Sequence, residues 1–359
     1  MSLIMGMLGV LGVLLVGGLL SGCGGGETSS TADQPTQGVP AEGEPAPEEA
    51  TPPTPTPEPA LTVVATTGHV GDAVSRIGGD VIEVITLLGP GIDPHTYVPT
   101  EGDIAKFEAA DVILYNGLKL ELQMEEIIKQ LGQSRNIPVQ GIGDTLDESR
   151  LLSWEPEAGL AYDPHIWNDV ALWRDATRAV SDTLVAADPA HADTYRANAE
   201  AYFAELDELD SFIAEQIATI PEENRVLVTA HDAFNYFGRA YDLRIEAIQG
   251  ISTETEASTA DIQALADLIV ELQVPAIFAE TMVSPRTVEA LRAAVQSRGM
   301  ETIKMGGNLY SDALGEPGSG VDSYIAVMRH NTEMIVNGLG GSAAGKTSDT
   351  SGATPTGSE

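Results

Sequence analysis

Between Asp188-Pro189 and Pro221, apolar or aromatic residues fall at Tyr195, Ala199, Tyr202, Leu206, Leu209, Ile213, Ile217 and Ile220, every step being three or four residues. That is one sustained face of an α-helix. Asp188 supplies an N-cap and Pro189 a first helical residue, and Pro221 ends the pattern. About 30 residues at roughly 1.5 Å each make a rod of about 45 Å, far longer than a crossover within one lobe. The chain must therefore carry separate structure at each end of this rod, and a rigid connection of this kind allows only limited hinge motion.

The flanking sequence supplies that structure. Short apolar runs at 61–66, 81–88, 112–116 and 137–140 alternate with helical patterns at 70–77, 104–110 and 120–131. A second series has strands at 225–229, 243–248, 276–279 and 301–305, with helices at 231–241, 259–272 and 284–298. Alternation of this sort is the signature of βαβ units and parallel sheets. The expected fold class is α/β: an N-terminal α/β lobe over 61–187, a connecting helix over 188–220 and a C-terminal α/β lobe over 221–340. With 359 residues the chain has room for both cores.

The ends differ. Residues 1–23 contain no charged side chain, and the apolar and Gly run that follows Ser2 stops at Leu20-Ser21-Gly22-Cys23, which holds the only cysteine. No intramolecular disulfide and no Cys-rich zinc motif can form. This segment resembles a bacterial lipoprotein signal peptide with its lipobox, in which Cys23 is lipidated and becomes the new N-terminus. It departs from the pattern in lacking Lys or Arg before Cys23. A single transmembrane anchor is the other reading, and both place the folded part outside the cytoplasm. Residues 24–60, rich in Pro, Thr, Gly and Glu, lack the large apolar residues that offset ordering entropy and read as a disordered tether spanning roughly 35 Å. The Gly/Ser/Thr-rich residues 341–359 read as a disordered tail.

A net charge of −36, from 54 acids and 18 bases, repels phosphate backbones and argues against nucleic-acid binding. It keeps the surface solvated and raises the local concentration of cations without itself making a site.

Of six histidines, three sit where open α/β sheets place ligand groups, at or after the carboxyl ends of strands. His95 lies in Gly91-Ile-Asp-Pro-His95, His165 in Asp163-Pro-His-Ile-Trp167, and His231 directly after the strand 225–229. Their spacing matches no local zinc motif, and H-E-x-x-H is absent. Asp93 and Asp163, each before a proline, shape turns or orient the following imidazole. His69 reads as lining the cleft or capping its helix, His191 and His330 as surface or packing residues, Trp154, Trp167 and Trp173 as packing, and Gly78-Gly79 and Gly306-Gly307 as turns.

Taken together, Thr66-Thr67, Ile77-Gly-Gly-Asp80, Gly91–His95, Ala110-Asp111, Tyr115-Asn-Gly-Leu118, Asp163–Trp167, Thr229-Ala-His-Asp-Ala-Phe-Asn-Tyr-Phe237, Gly250-Ile-Ser-Thr-Glu254, Phe278-Ala-Glu280 and Asn308-Leu-Tyr-Ser-Asp312 occur in family order. They resemble the zinc and manganese ABC-transporter substrate-binding lipoproteins over about residues 61–340. The resemblance implies two α/β lobes with parallel-rich sheets, joined by one long rigid helix, with a metal site in the cleft between them. Carried over by motif, His95 and His165 are the first-lobe ligands and His231 and Asp312 those of the second lobe, with Glu280 nearby in a supporting or packing role rather than as a ligand. Three imidazoles and one carboxylate suit four-coordinate Zn²⁺. Manganese, Mn²⁺, is the alternative, although family members devoted to it commonly have a carboxylate where His231 stands. The His-rich acidic loop of many zinc-specific members is missing, since residues 144–164 contain acids but no histidine.

The implied protein is no enzyme. It is a monomer, lipid-anchored through Cys23 outside the bacterial cell membrane, that captures a metal ion and hands it to an ABC permease and its ATPase. Two rivals remain: an exported zinc-dependent hydrolase with Glu280 as general base, and an adhesin-like surface lipoprotein, serving cell adhesion, with a structural metal.

Overall fold

A computed structural model describes residues 59–155 and 160–342. The 1–23 segment with Cys23, the 24–60 tether up to residue 58 and the tail from residue 343 lie outside the described residues. The first lobe is built on β1 (Leu61–Ala65), β2 (Ile82–Thr86), β3 (Val112–Tyr115) and β4 (Val139–Gly141), an all-parallel sheet in the order β2-β1-β3-β4. The central strands bury Val63, Val64, Ala65, Val112, Ile113 and Leu114 completely, the reason they read as unbroken apolar runs. Three helices provide the crossovers: α1 (Gly68–Gly78), α2 (Glu101–Ala109) and α3 (Leu122–Arg135). Thr67 caps α1, and Thr100 with Asp103 forms a capping box on α2. A small antiparallel pair, β5 (Ser153–Glu155) with β6 (Leu160–Tyr162), follows.

The second lobe pairs β7 (Val226–His231) with β8 (Arg244–Gln249) and β9 (Ala276–Glu280) with β10 (Lys304–Leu309), again in parallel, and β7 lies alongside β9. Around them pack α6 (Asn235–Tyr241), α7 (Thr259–Leu272), α8 (Pro285–Ser297) and α9 (Tyr324–Gly338). No helix among the described residues is long and apolar enough to cross a membrane.

Several elements differ from the sequence reading. Residues 170–187, assigned no element above, form α4 (Val170–Ala187), capped by Asp169 accepting from Leu172 N. The connecting element begins as a 3₁₀ turn, Pro189–His191, capped by Asp188 through Ala190 N, and only then becomes the 26-residue α5 (Ala192–Ile217), about 39 Å long. His231 is the last residue of a strand rather than the first of a helix, so α6 is shorter than the pattern suggests. Gly306-Gly307 is no simple turn: it lies inside β10 at a break in register, and a Cβ on Gly306 would meet the Phe278 ring at 2.2 Å. There the backbone itself packs on the aromatic face.

The connecting helix is a buried spine. Tyr195, Tyr202, Leu206, Leu209, Ile213 and Ile217 are almost wholly inaccessible, and they belong to one continuous apolar cluster running from Val63 and Val112 to Phe278 and Leu309. Smaller outer clusters back each lobe's sheet. Leu206→Ala is expected to lower stability by about 3 kcal/mol while urea unfolding stays a single transition; two separate transitions would show that the lobes do not share a core.

Candidate metal centre

The same tripeptide, Asp-Pro-His, shapes both first-lobe loops. Asp93 Oδ1 accepts the backbone N–H of His95 at 2.9 Å, and Asp163 Oδ1 that of His165 at 3.0 Å: two Asx turns that project the histidine side chain from a rigid bend. Asp163 Oδ1 also lies 2.7 Å from His165 Nδ1. An Nδ1–H donated there leaves Nε2 with a free lone pair.

In the second lobe, Glu280 at the end of β9 accepts from the backbone N–H groups of Ala230 and His231 at 2.7 and 2.8 Å, and lies 2.5 Å from His231 Nδ1. Its carboxylate is thereby committed to orienting His231. Asp312 sits in the loop after β10. That loop is tied to the His165 loop by Trp167 Nε1, which donates to Ser311 O at 2.8 Å.

These elements bring His95, His165, His231 and Asp312 together, with one donor atom from each lying within 4.8 Å of all the others. His95 Nε2 is 3.2 Å from His165 Nε2 and 3.4 Å from Asp312 Oδ2, His231 Nε2 is 3.2 Å from Asp312 Oδ2, and His165 Nε2 is 3.6 Å from Asp312 Oδ1. Four donors at about 2.0–2.1 Å from a central tetrahedral ion would stand about 3.3 Å apart. All four residues are buried, His95 the least, at 4% exposure. Neither Asp312 oxygen has a hydrogen-bond partner among the described residues, nor has His231 Nε2. Burial opposes the charge of Asp312, but the surrounding imidazoles, His231 foremost, hold its carboxyl well below the usual range. Burial likewise disfavours a charged His231, yet Glu280 and Asp312 on its two sides raise it well above an ordinary histidine.

Residues 63–338 match the profile of the family described as zinc-uptake complex component A, periplasmic. The chain belongs to that family. This zinc-uptake family member is 42% identical over 277 residues to the zinc-binding protein TroA of Treponema pallidum, covering 77% of this chain and 88% of the relative. It is 36% identical over 320 residues to the manganese-binding lipoprotein MntA of Bacillus subtilis, covering 89% and 95%. Among solved structures, the periplasmic zinc-binding protein TroA from Treponema pallidum aligns with a TM-score of 0.75 at 41% identity, over 78% of this chain and 99% of that one. The two-lobe α/β fold joined by a long helix is that of this family.

The other sequence candidates have different surroundings. His69 is buried in α1, stacked on Trp167 with ring centroids 4.9 Å apart, and neither ring nitrogen has a hydrogen-bond partner among the described residues; Thr67 is the cap. His191 lies 2.6 Å from Asp188, and His330 lies near Asn308 O. Trp167 both packs and bridges, as above.

Sequence reasoning missed Glu121 and Asn116. Glu121 is buried, accepting from Thr66 Oγ1 at 2.6 Å and Asn116 N at 2.7 Å, and burial pushes it up to about 7. Asn116 Nδ2 in turn donates to Pro164 O, bracing the His165 loop. The Thr66 and Tyr115–Leu118 motifs were visible; their buried acid is not recognisable from local pattern.

Burial pulls His69 down to about 4. The unfolded imidazole titrates near 6.5, so between these values the unfolded chain binds the extra proton and stability falls with falling pH. His69→Phe is expected to remove up to about 3 kcal/mol of this acid sensitivity, seen as a flatter melting temperature between pH 7 and 4.5; an unchanged slope would assign the sensitivity to other groups.

Proposed function

We propose that this protein is an extracytoplasmic solute-binding protein that carries one divalent transition metal on His95, His165, His231 and Asp312 and delivers it to an ABC permease and its ATPase. Zn²⁺ is the favoured cargo and Mn²⁺ the second choice. The observation that carries this reading is the buried Asp312 carboxylate, without a hydrogen-bond partner among the described residues and ringed at 3.2–3.6 Å by three imidazole nitrogens. A cation at the centre would satisfy every one of these groups at once. Three nitrogens and one oxygen favour zinc over the more oxygen-loving manganese, and relatives named for zinc and for manganese support the class of cargo.

Carriage is favoured over hydrolysis because four protein donors complete a tetrahedral shell and because Glu280, the base a hydrolase needs, is already bonded to Ala230 and His231. A relative named as a lipoprotein supports lipidation at Cys23, with the protein acting as a monomer tethered to the membrane.

In calorimetric titrations of metal-free protein, His165→Ala and His231→Ala are each expected to weaken Zn²⁺ binding at least about 100-fold; wild-type affinity in either variant would remove that residue from the ligand set. A ligating imidazole must be deprotonated, so affinity is expected to fall as pH falls through the histidine range, with net release of protons on binding. Titration in buffers of different ionisation enthalpy reads this directly, and a pH-independent affinity would contradict it.

A further inference from the structure

Beside the four-residue cluster lies a cavity of about 730 Å³. Its wall includes Glu155, Asp232, Glu254 and Glu256, and no Lys or Arg. Two more wall acids are already engaged, Glu246 by Arg244 and Asp261 by the Ser258 cap, whereas no cationic side chain pairs with Glu155, Glu254 or Glu256 among the described residues. The acids are not the only signal. Gln249 lines the same cavity and is 91% buried; its Nε2 donates to Thr255 O, while its Oε1 has no hydrogen-bond partner among the described residues. It is the register partner of His231 on the neighbouring strand, so an amide oxygen able to receive a cation stands next to a member of the cluster.

This basin leads somewhere. Trp154, Leu160, Ser252 and Glu254 line both the basin and a neck of about 30 Å³ whose far wall is His95. Such a volume holds about one water or one ion. The one cation lining the neck among the described residues is Lys119, held with Leu118 in the left-handed backbone region at φ 68° and 53° and drawn to Glu125 at 3.1 Å.

The attachment of the two first-lobe loops is unequal. Asn235, Tyr236 and the Ala233 and Ser311 carbonyls of the second lobe all bond to the His165 loop. Among the described residues, apart from the approach of His95 to Asp312, one hydrogen bond, Thr253 Oγ1 to Asp93 Oδ2 at 2.5 Å, ties the His95 loop across the cleft.

We infer that the acidic basin is the entry route for the metal: it concentrates divalent cations and passes them through the neck and past His95 to the cluster. His165, His231 and Asp312 are held ready, and the lightly tethered His95 loop completes the shell last. The inference rests on the cargo reading above and adds the route and the groups that set its speed. Field focusing in a cleft of one sign raises association rates about tenfold or more and is screened by salt.

The test mixes full-length, metal-free protein rapidly with Zn²⁺ alone and follows tryptophan fluorescence, with equilibrium affinity measured separately by chelator competition. The E155Q/E254Q/E256Q variant is expected to associate about tenfold more slowly at low salt, with a flatter salt dependence. Lys119→Gln is expected to associate faster. The E83Q/E108Q/E289Q variant removes the same charge from exposed positions that line neither cavity, and is expected to stay within about twofold of wild type. Wild-type rates in the basin variant, or equal slowing in both triple variants, would overturn the route while leaving carriage intact. Failure of the wild-type protein to bind Zn²⁺ at equilibrium would overturn the cargo reading and the route with it.

Discussion

The Asp312 carboxylate organises the molecule. An ionised carboxylate removed from water without hydrogen bonds is among the least favourable groups a protein can bury, and this one lacks any such partner among the described residues. Its position is tolerable because three imidazoles face it, two from loops and one from the end of β7. Each is fixed by its own device: an Asp-Pro turn for His95 and for His165, and the Glu280 carboxylate for His231. Glu280 and Asp312 flank His231 on its two sides. Removing any one of these supports exposes a charge to a medium that cannot solvate it, which makes the lobes interdependent.

Much of this was legible in the chain. The connecting helix showed because a period of three and four sustained over many residues is hard to imitate, and the parallel strands showed because burial on both faces leaves uninterrupted apolar runs. The Asp-Pro-His turns were readable for a different reason: an Asx turn is local, its donor two residues from its acceptor. α4 was equally regular, with Val170, Trp173, Ala176, Val180 and Leu184 buried on one face, but it follows a loop dominated by functional residues and went unassigned. Glu121 and His69 could not be read at all. Whether an acid or an imidazole ends up buried depends on what the far chain lays over it, as Trp167 lies over His69, and no local pattern encodes that. Gly306 belongs with them, since its role is to admit the Phe278 ring.

The acidity of the chain has a distribution as well as a sum. Many surface carboxylates are neutralised in pairs, such as Arg76 with Glu205 and Arg298 with Asp267, and exposed pairs of this sort add little stability. The acids of the basin are different in that their neighbours are other acids, an amide and an aromatic ring. Relatives at 42% and 36% identity named for different metals show that overall similarity does not track ion preference.

The spine formed by α5 limits how this molecule lets go of anything. Parting the halves widely would strip water-excluded side chains such as Leu206 and Ile213 from partners on both sides, at roughly 25 cal/mol for every Å² of apolar surface uncovered. Small displacements of rim loops carry no comparable penalty. The shared core therefore favours small movements at the rim over a wide parting of the halves.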